Sequence, residues 1–380
     1  MPLERGPGIP ARLSGGARIR PMPCENPWPT PIDRLGPSVD GSRRIERGRR
    51  IDAARVARSA RAQPLVTYLT VVRNGAATVE RALRSVRDQT WPHVEHIVID
   101  GLSGDGTLDV LLEHVGQIDY LVSEADAGLY AALNKAVPLA RGDLICVLNA
   151  DDWLTRDAAA LAAGAYLAAG ADESRLILSA AWVEGGSRRR LWSPARLDLG
   201  GYLTCANICH NGVYATPGAY RASGPYATDL RIASDFRWLM RCVDAGVEVS
   251  SLDVPTVHYV LGGLSSDTRR HVEECARILG ERFPFLSDAE VWGLLHAFHV
   301  FRDHLQPFAA ARPPQLGRFL RDLARAHAGD PDFARALALA STALLRHPDD
   351  GVGPDRLSRA DKARRSLRRR WMAARNLLLR

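Results

Sequence analysis

The chain has 380 residues, of which 46% are hydrophobic and 24% charged, a balance typical of a globular protein and not of a fibrous or wholly disordered one. No uninterrupted apolar run approaches the roughly 20 residues that span a bilayer, and the N-terminus lacks the apolar centre of a signal peptide. We therefore expect a cytoplasmic protein with a core large enough for one large domain or two ordinary ones.

The net charge of +7 is distributed unevenly along the chain. Residues 1–62 carry +7 and residues 355–380 carry +8, which leaves −8 for the residues between them. A nucleic-acid enzyme is expected to place its basic residues around its site, whereas here they lie in two terminal segments. This distribution argues against nucleic acid as a partner and favours contact with an anionic membrane surface, on the inner face of the cell membrane.

The six cysteines are scattered and form no Cys-x-x-Cys pair, which favours reduced thiols in a reducing compartment. The run CANICH at 205–210 contains two cysteines and a histidine, but its spacing fits no usual zinc pattern. We interpret this run as buried small residues and not as a metal cluster.

Strands alternate with helices over the first half of the ordered chain. Residues 1–62 are rich in Pro, Gly and Arg without a sustained period, which predicts a disordered basic leader. Apolar runs predict strands, and 3.6-residue periods predict helices between them. The predicted strands are 64–72, 94–100, 118–123 and 143–149, and the predicted helices are 74–89, 105–115 and 128–140. This alternation predicts an α/β fold with a mostly parallel sheet flanked by helices.

The second half of the chain is less regular. The patterns predict helices at 155–170 and 232–246, strands at 175–183 and 188–192, and loops around short strands at 209–226. A further strand then leads into a Gly-rich loop at 262–266. The domain is expected over residues 63–266, followed by a helical extension at 267–354 and a basic amphipathic helix at 355–380.

Three predicted strands end in polar residues, in the stretches TVVRN (70–74), VIDGLSGDGT (98–107) and VLNADDW (147–153). Ligands of open α/β sheets bind at the carboxyl ends of the strands, so these stretches are expected to meet in one crevice. The glycines of the second stretch do not follow the Gly-x-Gly-x-x-Gly order of a dinucleotide fold, which disfavours an NAD-dependent oxidoreductase. Asp100 is suited to accept hydrogen bonds from a base or ribose, and an ordinary Asp-Gly turn is the alternative.

The stretch NADDW places two carboxylates side by side. Adjacent carboxylates repel each other unless a cation or a donor lies between them. Mg²⁺ and Mn²⁺ take oxygen ligands, often only one or two protein carboxylates, and complete their shell with water and substrate phosphate. Asp151 and Asn149 are therefore candidate ligands for a metal ion that binds a diphosphate. The alternative is an ordinary turn in which Asp152 caps the next helix.

Four segments of the chain form a combined motif: VTYLTVVRNG, VEHIVIDGLSGDGT, SEADAGLYAALNKA and DLICVLNADDW. In order and spacing, this motif resembles glycosyltransferase family 2. Its members are inverting nucleotide-sugar transferases of the GT-A fold, which is Rossmann-like. The resemblance is closest to the branch that builds bacterial exopolysaccharides and glycolipids. It continues through CHNGVYATPGAYRASGPYATDLRIASDFRW to VHYVLGGLSS and covers roughly residues 64–268.

The resemblance implies a role for individual residues. Asp100 corresponds to the aspartate that binds base and ribose, and Asp235 to the catalytic base, although by itself Asp235 is an ordinary first-turn aspartate. Asn149-Ala150-Asp151 lies at the Asp-x-Asp position, where Asp151 holds Mg²⁺ or Mn²⁺ and Asn149 replaces the first carboxylate. The remaining positions are Thr70, Val72 and Asn74 in the nucleotide pocket, and His210, Gly262 and Gly263 near donor phosphate or acceptor.

Asn134 and Lys135 form a further candidate pair. Lys135 is one of only two lysines in a chain that otherwise uses arginine for its basic residues. The ammonium group of this lysine is therefore a candidate contact for a sugar or diphosphate. The alternative is a solvated helix face. We expect transfer of a sugar from a nucleotide-diphosphate donor, UDP-linked, to a hydroxyl of a glycan or lipid-linked acceptor. A non-catalytic nucleotide-sugar or glycan-binding protein is the alternative.

Overall fold

The computed structural model describes residues 34–36, 44–52, 63–185, 189–263 and 266–346. The chain divides into two compact units. Among these residues, the sheet unit comprises those of 34–195 and 207–271, and the helical unit comprises those of 196–206 and 272–346.

The described part of the sheet unit contains a ten-stranded mixed sheet in the order β1-β4-β3-β2-β5-β9-β7-β10-β6, with β8 paired to β7. Parallel pairing joins β4, β3, β2 and β5, and separately β7 and β10. The strands are β1 (Ile45–Arg47), β2 (Val66–Val72), β3 (Val94–Asp100), β4 (Tyr120–Ser123), β5 (Leu144–Val147), β6 (Trp153–Leu154), β7 (Arg175–Glu184), β8 (Arg190–Trp192), β9 (Val213–Ala215) and β10 (Glu248–Val260).

The centre of the sheet has the parallel arrangement that the alternating pattern predicts. All seven residues of β2 are buried, as expected for a strand covered on both faces. Antiparallel β9 joins the two parallel groups by pairing with both β5 and β7. The α/β fold class is thereby confirmed, with a mixed sheet flanked by helices.

Helices cover this sheet through apolar side chains. The helix α2 is buried at Val79, Ala82, Leu83 and Val86, and it contributes to two apolar clusters of the core. The helix α4 packs against β2 and β3, and α5 packs against β7 and β10. The helices of the sheet unit are α1 (Arg49–Asp52), α2 (Val79–Arg87), α3 (Thr107–Glu113), α4 (Leu129–Ala136), α5 (Ala158–Ala168), α7 (Pro217–Ser223) and α8 (Ser234–Asp244).

Two segments differ from the pattern-based expectation. Residues 217–223, expected as loop, form α7, because Thr216 caps its N-terminus through Ala219 and Pro217 occupies the first turn. Residues 44–52, expected within the disordered leader, form β1 and α1. Here β1 forms one edge of the sheet by pairing with β4, and Arg50 forms an ion pair with buried Glu95. Apart from residues 34–36, the rest of the leader lies outside the described residues.

The helical unit contains a short helix between β8 and β9 and a series of helices toward the C-terminus. Ser287 and Glu290 form a capping box at the start of α10. Helices dominate the described chain after residue 267, as expected, whereas residues 347–380, with the predicted basic helix, lie outside it. Among the described helices, none combines the length and the apolar character needed to cross a membrane. The helices are α6 (Gly201–Thr204), α9 (Thr268–Arg282), α10 (Asp288–Phe298), α11 (Leu316–Ala326) and α12 (Pro331–Arg346), with a 3-10 segment at Arg302–Ala311.

Candidate active site

A cavity of about 630 Å³ opens at the carboxyl end of β2. Residues 71–74 form one wall, residues 126–132 at the start of α4 form another, and residues 228–231 before α8 form the third. Val72 and Asn74, both expected in the nucleotide pocket, line this cavity. Its position agrees with the rule that α/β sheets bind ligands at the carboxyl ends of their strands.

Thr70 is the exception among the three expected pocket residues. Its side chain is fully buried, and its hydroxyl shares a hydrogen bond of 3.0 Å with Nε2 of His96 on the neighbouring strand. Thr70 lies two residues before Val72, still inside the sheet and short of the strand end. We therefore correct its role from lining the cavity to pairing β2 with β3.

The loops that follow β2 and β3 are joined to each other around Asn74. Asn74 has a left-handed backbone with φ of 56°, a conformation that asparagine tolerates better than most residues. Its backbone N–H donates to Oγ of Ser103, and its side-chain oxygen accepts from the N–H of Gly104. A strained backbone held by several bonds is typical of a ligand-binding loop.

Asp100 ends β3 as a fully buried carboxylate. Its oxygens accept hydrogen bonds from the hydroxyls of Ser103 and Ser123 and from the N–H of Ser103. In this structure the carboxylate therefore holds the loop beside the cavity. The hydrogen bonding of Asp100 to a base or ribose stays a prediction.

Asp126 is a cavity residue whose role the motifs did not indicate. Its Oδ1 accepts a hydrogen bond from the N–H of Gly128. Its Oδ2 lies only 2.6 Å from the position that a Cβ atom would occupy if residue 101 had a side chain. Only glycine at position 101 leaves room for this carboxylate. The sequence signal that could have indicated Asp126 is the SEADAGLY segment, which contains this residue and is part of the family resemblance.

The NADDW turn separates its two carboxylates into different environments. Asp151 is half-buried, whereas Asp152 is buried. The side-chain amide of Asn149 donates to Asp152 over 3.4 Å, so its oxygen remains a ligand candidate beside the Asp151 carboxylate. One carboxylate and one amide oxygen suit Mg²⁺ or Mn²⁺, which fill their other positions with water and phosphate.

Asp152 joins three parts of the sheet unit instead of serving only as a helix cap. Its carboxylate accepts from the side-chain amides of Asn149 and Asn211 and from the backbone N–H of Val260. Burial and the neighbouring Asp151 raise the pKa of Asp152 to about 8, although the three N–H donors favour its ionised form. This role was not evident from sequence because Asn211 and Val260 are distant in the chain.

The glycines after β10 lie against the same turn. Gly262 has φ of 113°, and an ideal Cβ on Gly263 would lie 3.2 Å from Oδ2 of Asp151. The loop can approach this carboxylate closely because Gly263 has no side chain. The role of Gly262 and Gly263 near donor phosphate or acceptor stays a prediction.

Trp153 is held between two side chains. The guanidinium of Arg81 lies 3.9 Å from the centre of one of its rings, and His258 stacks on Trp153 with ring centres 4.7 Å apart. Arg81 also donates to the backbone carbonyl of Asp151 over 2.8 Å. The stack fixes the backbone on which Asp151 is carried.

Asp235 lies in the first turn of α8 and is half-buried. Its Oδ1 accepts from the N–H of Phe236 and lies 3.3 Å from the hydroxyl of Tyr130, which lines the cavity. The same hydroxyl donates to the carbonyl of Ile232. Tyr130 therefore connects the cavity wall to the expected catalytic base, a role that sequence patterns did not indicate.

Asn134 and Lys135 have partners within the protein. The side-chain amide of Asn134 exchanges two hydrogen bonds with the backbone of Tyr226. The ammonium of Lys135 pairs with Glu124 over 2.8 Å and donates to the carbonyl of Ala125. These bonds position α4, and a contact of either residue with a sugar or diphosphate stays a prediction.

His210 lies between the two carboxylate sites. Its Nε2 shares a hydrogen bond of 3.0 Å with the hydroxyl of Tyr226, while the next residue, Asn211, binds Asp152. Burial lowers the pKa of His210, an effect that the nearby Asp235 opposes. The lowered pKa favours the neutral imidazole, one nitrogen of which bonds the hydroxyl of Tyr226.

Comparisons with known proteins agree with this geometry. A family model described as glycosyl transferase family 2 matches residues 67–173. A Mycobacterium bovis protein named PGL/p-HBAD biosynthesis glycosyltransferase is 30% identical over 184 residues, which are 48% of this chain and 70% of that relative. TuaG of Bacillus subtilis, whose name places it in teichuronic acid biosynthesis, is 35% identical over 98 residues, which are 25% of this chain and 39% of that relative.

Among solved structures, S. aureus TarS 1-349 in complex with UDP-GlcNAc has a TM-score of 0.50 at 15% identity. The likeness covers 74% of this chain and 92% of that one. At this identity it shows a shared fold alone, which agrees with the GT-A fold expected from the sequence. With the relatives and the family model, these observations show that the chain belongs to glycosyltransferase family 2 and is a glycosyltransferase.

Proposed function

We propose that this enzyme transfers a hexose from a UDP-linked donor to a hydroxyl with inversion at the anomeric carbon. The observation that supports the proposal is the 3.3 Å contact between Oδ1 of Asp235 and the hydroxyl of Tyr130, a residue that lines the strand-end cavity. An inverting transfer needs one carboxylate within reach of the acceptor hydroxyl, on the face opposite the departing diphosphate.

Asp235 acts as the general base in this mechanism. The acceptor oxygen forms a bond to the anomeric carbon while its proton passes to the carboxylate of Asp235, and the bond from that carbon to the diphosphate oxygen breaks. The nucleoside diphosphate leaves with the electron pair of that bond.

Asp151 and the side-chain oxygen of Asn149 would hold Mg²⁺ or Mn²⁺ at the other edge of the site. The ion, when bound, supplies positive charge to the departing diphosphate. Asp152 positions both of these residues, because it binds Asn149 and follows Asp151 in the same turn. Gly263 leaves room for the donor phosphates beside Asp151.

The donor and the acceptor are proposed from the similar proteins. TarS was crystallised in complex with UDP-GlcNAc, and the relatives are named for PGL/p-HBAD biosynthesis and for teichuronic acid biosynthesis. We therefore propose a UDP-sugar donor and a glycan or lipid-linked acceptor, used in building cell-surface polysaccharide or glycolipid. The basic segment 355–380 would hold the enzyme at the inner, anionic face of the membrane.

The test is transfer activity of the purified chain over a panel of UDP- and GDP-sugars with Mn²⁺, followed by NMR of the product anomer. An α-linked donor is expected to give a β-linked product. Asp235→Asn is expected to lower turnover about 10²- to 10⁴-fold while UDP binding is kept. Asp244→Asn, at the other end of the same helix, is the matched control and should keep full activity.

Four results would each contradict part of the proposal. Retention of anomeric configuration would exclude the inverting mechanism. Full activity of Asp235→Asn would exclude the proposed base. UDP-sugar binding in calorimetry without hydrolysis or transfer to any acceptor would favour the alternative of a non-catalytic binding protein. Liposome binding that survives deletion of residues 355–380 would contradict the proposed membrane contact.

A further inference from the structure

Two cysteines and a histidine meet in the interior of the helical unit. The ligand atoms of Cys205, Cys275 and His299 all lie within 4.8 Å of one another, and all three residues are buried. They belong to segments that are distant in the chain. The run CANICH does not form this cluster, because its Cys209 and His210 lie in the sheet unit.

The three residues are held by regular structure. Cys205 follows α6 with a left-handed backbone of φ 60° and ψ 40°, an uncommon conformation for a non-glycine residue. Cys275 lies within α9, and His299 directly follows α10. Each side chain is therefore presented from a helix or a helix end, which limits how far the three can separate.

The arrangement fits Zn²⁺ in ligand type and in spacing. Thiolate and imidazole are the ligands that zinc prefers, with bonds of about 2.3 Å to sulfur and about 2.0 Å to nitrogen. Ligand atoms around one tetrahedral ion are then about 3.5–3.8 Å apart. The observed limit of 4.8 Å requires each atom to move inward by less than about 1 Å.

The histidine must change one hydrogen bond to bind a metal through Nε2. Its Nδ1 accepts from the backbone N–H of Phe301 over 3.0 Å. A neutral imidazole has one proton, so a metal on Nε2 places that proton on Nδ1 and ends this bond. The loss of one such bond is small beside the free energy with which thiolates and imidazole bind zinc.

We propose that Cys205, Cys275 and His299 form a structural Zn²⁺ site in the helical unit. The ion would fasten the segment before residue 207 to α9 and to the end of α10. His304, whose ring centre is 6.3 Å from that of His299, is a candidate for the fourth ligand. This site is distinct from Asp151 and Asn149, whose oxygen ligands suit Mg²⁺ or Mn²⁺.

The test is the zinc content of the full chain, purified without a histidine tag from zinc-supplemented cells and measured by plasma mass spectrometry. We expect about one zinc per chain, and a thiolate-to-cobalt charge-transfer band when Co²⁺ replaces zinc. Cys205→Ser and Cys275→Ser are each expected to remove the metal and the band. Cys242→Ser, a buried cysteine of α8 outside the cluster, is the matched control and should keep both.

The wild-type measurements keep the proposal testable where a serine variant fails to fold. Less than about a tenth of a zinc per chain, together with no cobalt band in the wild type, would overturn the proposal. A disulfide between Cys205 and Cys275 in the same purified chain, found by peptide mass spectrometry, would also overturn the proposal. So would zinc that persists in both serine variants, since it would then lie elsewhere.

Discussion

Oδ1 of Asp152 accepts a hydrogen bond of 2.7 Å from the backbone N–H of Val260, 108 residues further along the chain. The same carboxylate accepts from Asn149 and Asn211, so one buried side chain joins the NADDW turn, the turn at His210–Gly212 and the end of β10. The Gly262–Gly263 loop, which lies against Asp151, starts directly after this bond. The edge that would hold metal and diphosphate is therefore set by Asp152, which itself is buried.

Asp152→Ala tests this dependence. It leaves three N–H donors without their acceptor, one of them on buried Asn211, so we expect a loss of about 3 kcal/mol in the free energy of unfolding. Asp152→Asn keeps one side-chain oxygen and should lose only about 1 kcal/mol. Urea denaturation measures both, and transfer activity should fall in the same order. Equal stability of the alanine variant and the wild type would show that the three bonds contribute nothing.

Asn149→Asp restores the carboxylate that the family pattern has at this position. We expect tighter Mn²⁺ binding, because two carboxylates then face the ion. We also expect a less stable metal-free protein, because the new carboxylate replaces an amide that donates to buried Asp152. Activity against Mn²⁺ concentration and thermal unfolding with and without Mn²⁺ separate the two effects. An unchanged Mn²⁺ requirement would mean that residue 149 is not a ligand.

Tyr130→Phe probes the link between the cavity and Asp235. The variant loses the hydroxyl that lies 3.3 Å from Oδ1 of Asp235 and that donates to the carbonyl of Ile232. We expect kcat to fall about 5- to 10-fold, since one positioning hydrogen bond of about 1 kcal/mol is lost. KM for the donor should change little. A fall in donor affinity at constant kcat would assign Tyr130 to donor binding instead.

The fold could be predicted from sequence where local pattern decides structure. The fully buried β2 and the apolar face of α2 follow from continuous and 3.6-residue hydrophobic patterns. The order of strands β9, β7 and β10 could not be predicted, because strand pairing depends on contacts between distant segments. The helix α7 was missed although Thr216 and Pro217 are an ordinary helix start.

The site could be predicted in outline and not in its bonds. Asn74 and Val72 line the cavity as expected, and Asp151 and Gly263 are neighbours. The internal partners of Thr70, Asn134 and Lys135 could not be predicted, because a residue type and its position do not reveal which neighbour it bonds to. Asp235 stays a prediction as a base, and its Tyr130 contact became evident only from the folded structure.

Arg50 and Arg49 offer a matched test of the ordered part of the leader. Arg50 is 6% exposed and pairs with Glu95, whereas Arg49 is 49% exposed and pairs with Asp119. Arg50→Ala leaves the Glu95 carboxylate buried without its cation, so we expect a loss of about 3–5 kcal/mol in unfolding free energy. Arg49→Ala should cost about 0–1 kcal/mol. Similar values for the two variants in urea denaturation would contradict the burial of this pair.

His96 is expected to make the sheet unit less stable in acid. Burial lowers its pKa to about 3, whereas the unfolded chain binds a proton near 6.5. The neutral form of His96 therefore contributes fully to the free energy of unfolding above pH 6.5. This contribution is lost as the pH falls toward 3, by at most about 1.4 kcal/mol per pH unit. His96→Gln cannot titrate and can still bond Thr70, so its unfolding free energy should fall less between pH 6.5 and 5. Parallel curves for variant and wild type, measured by urea denaturation at each pH, would show that His96 is not the titrating group.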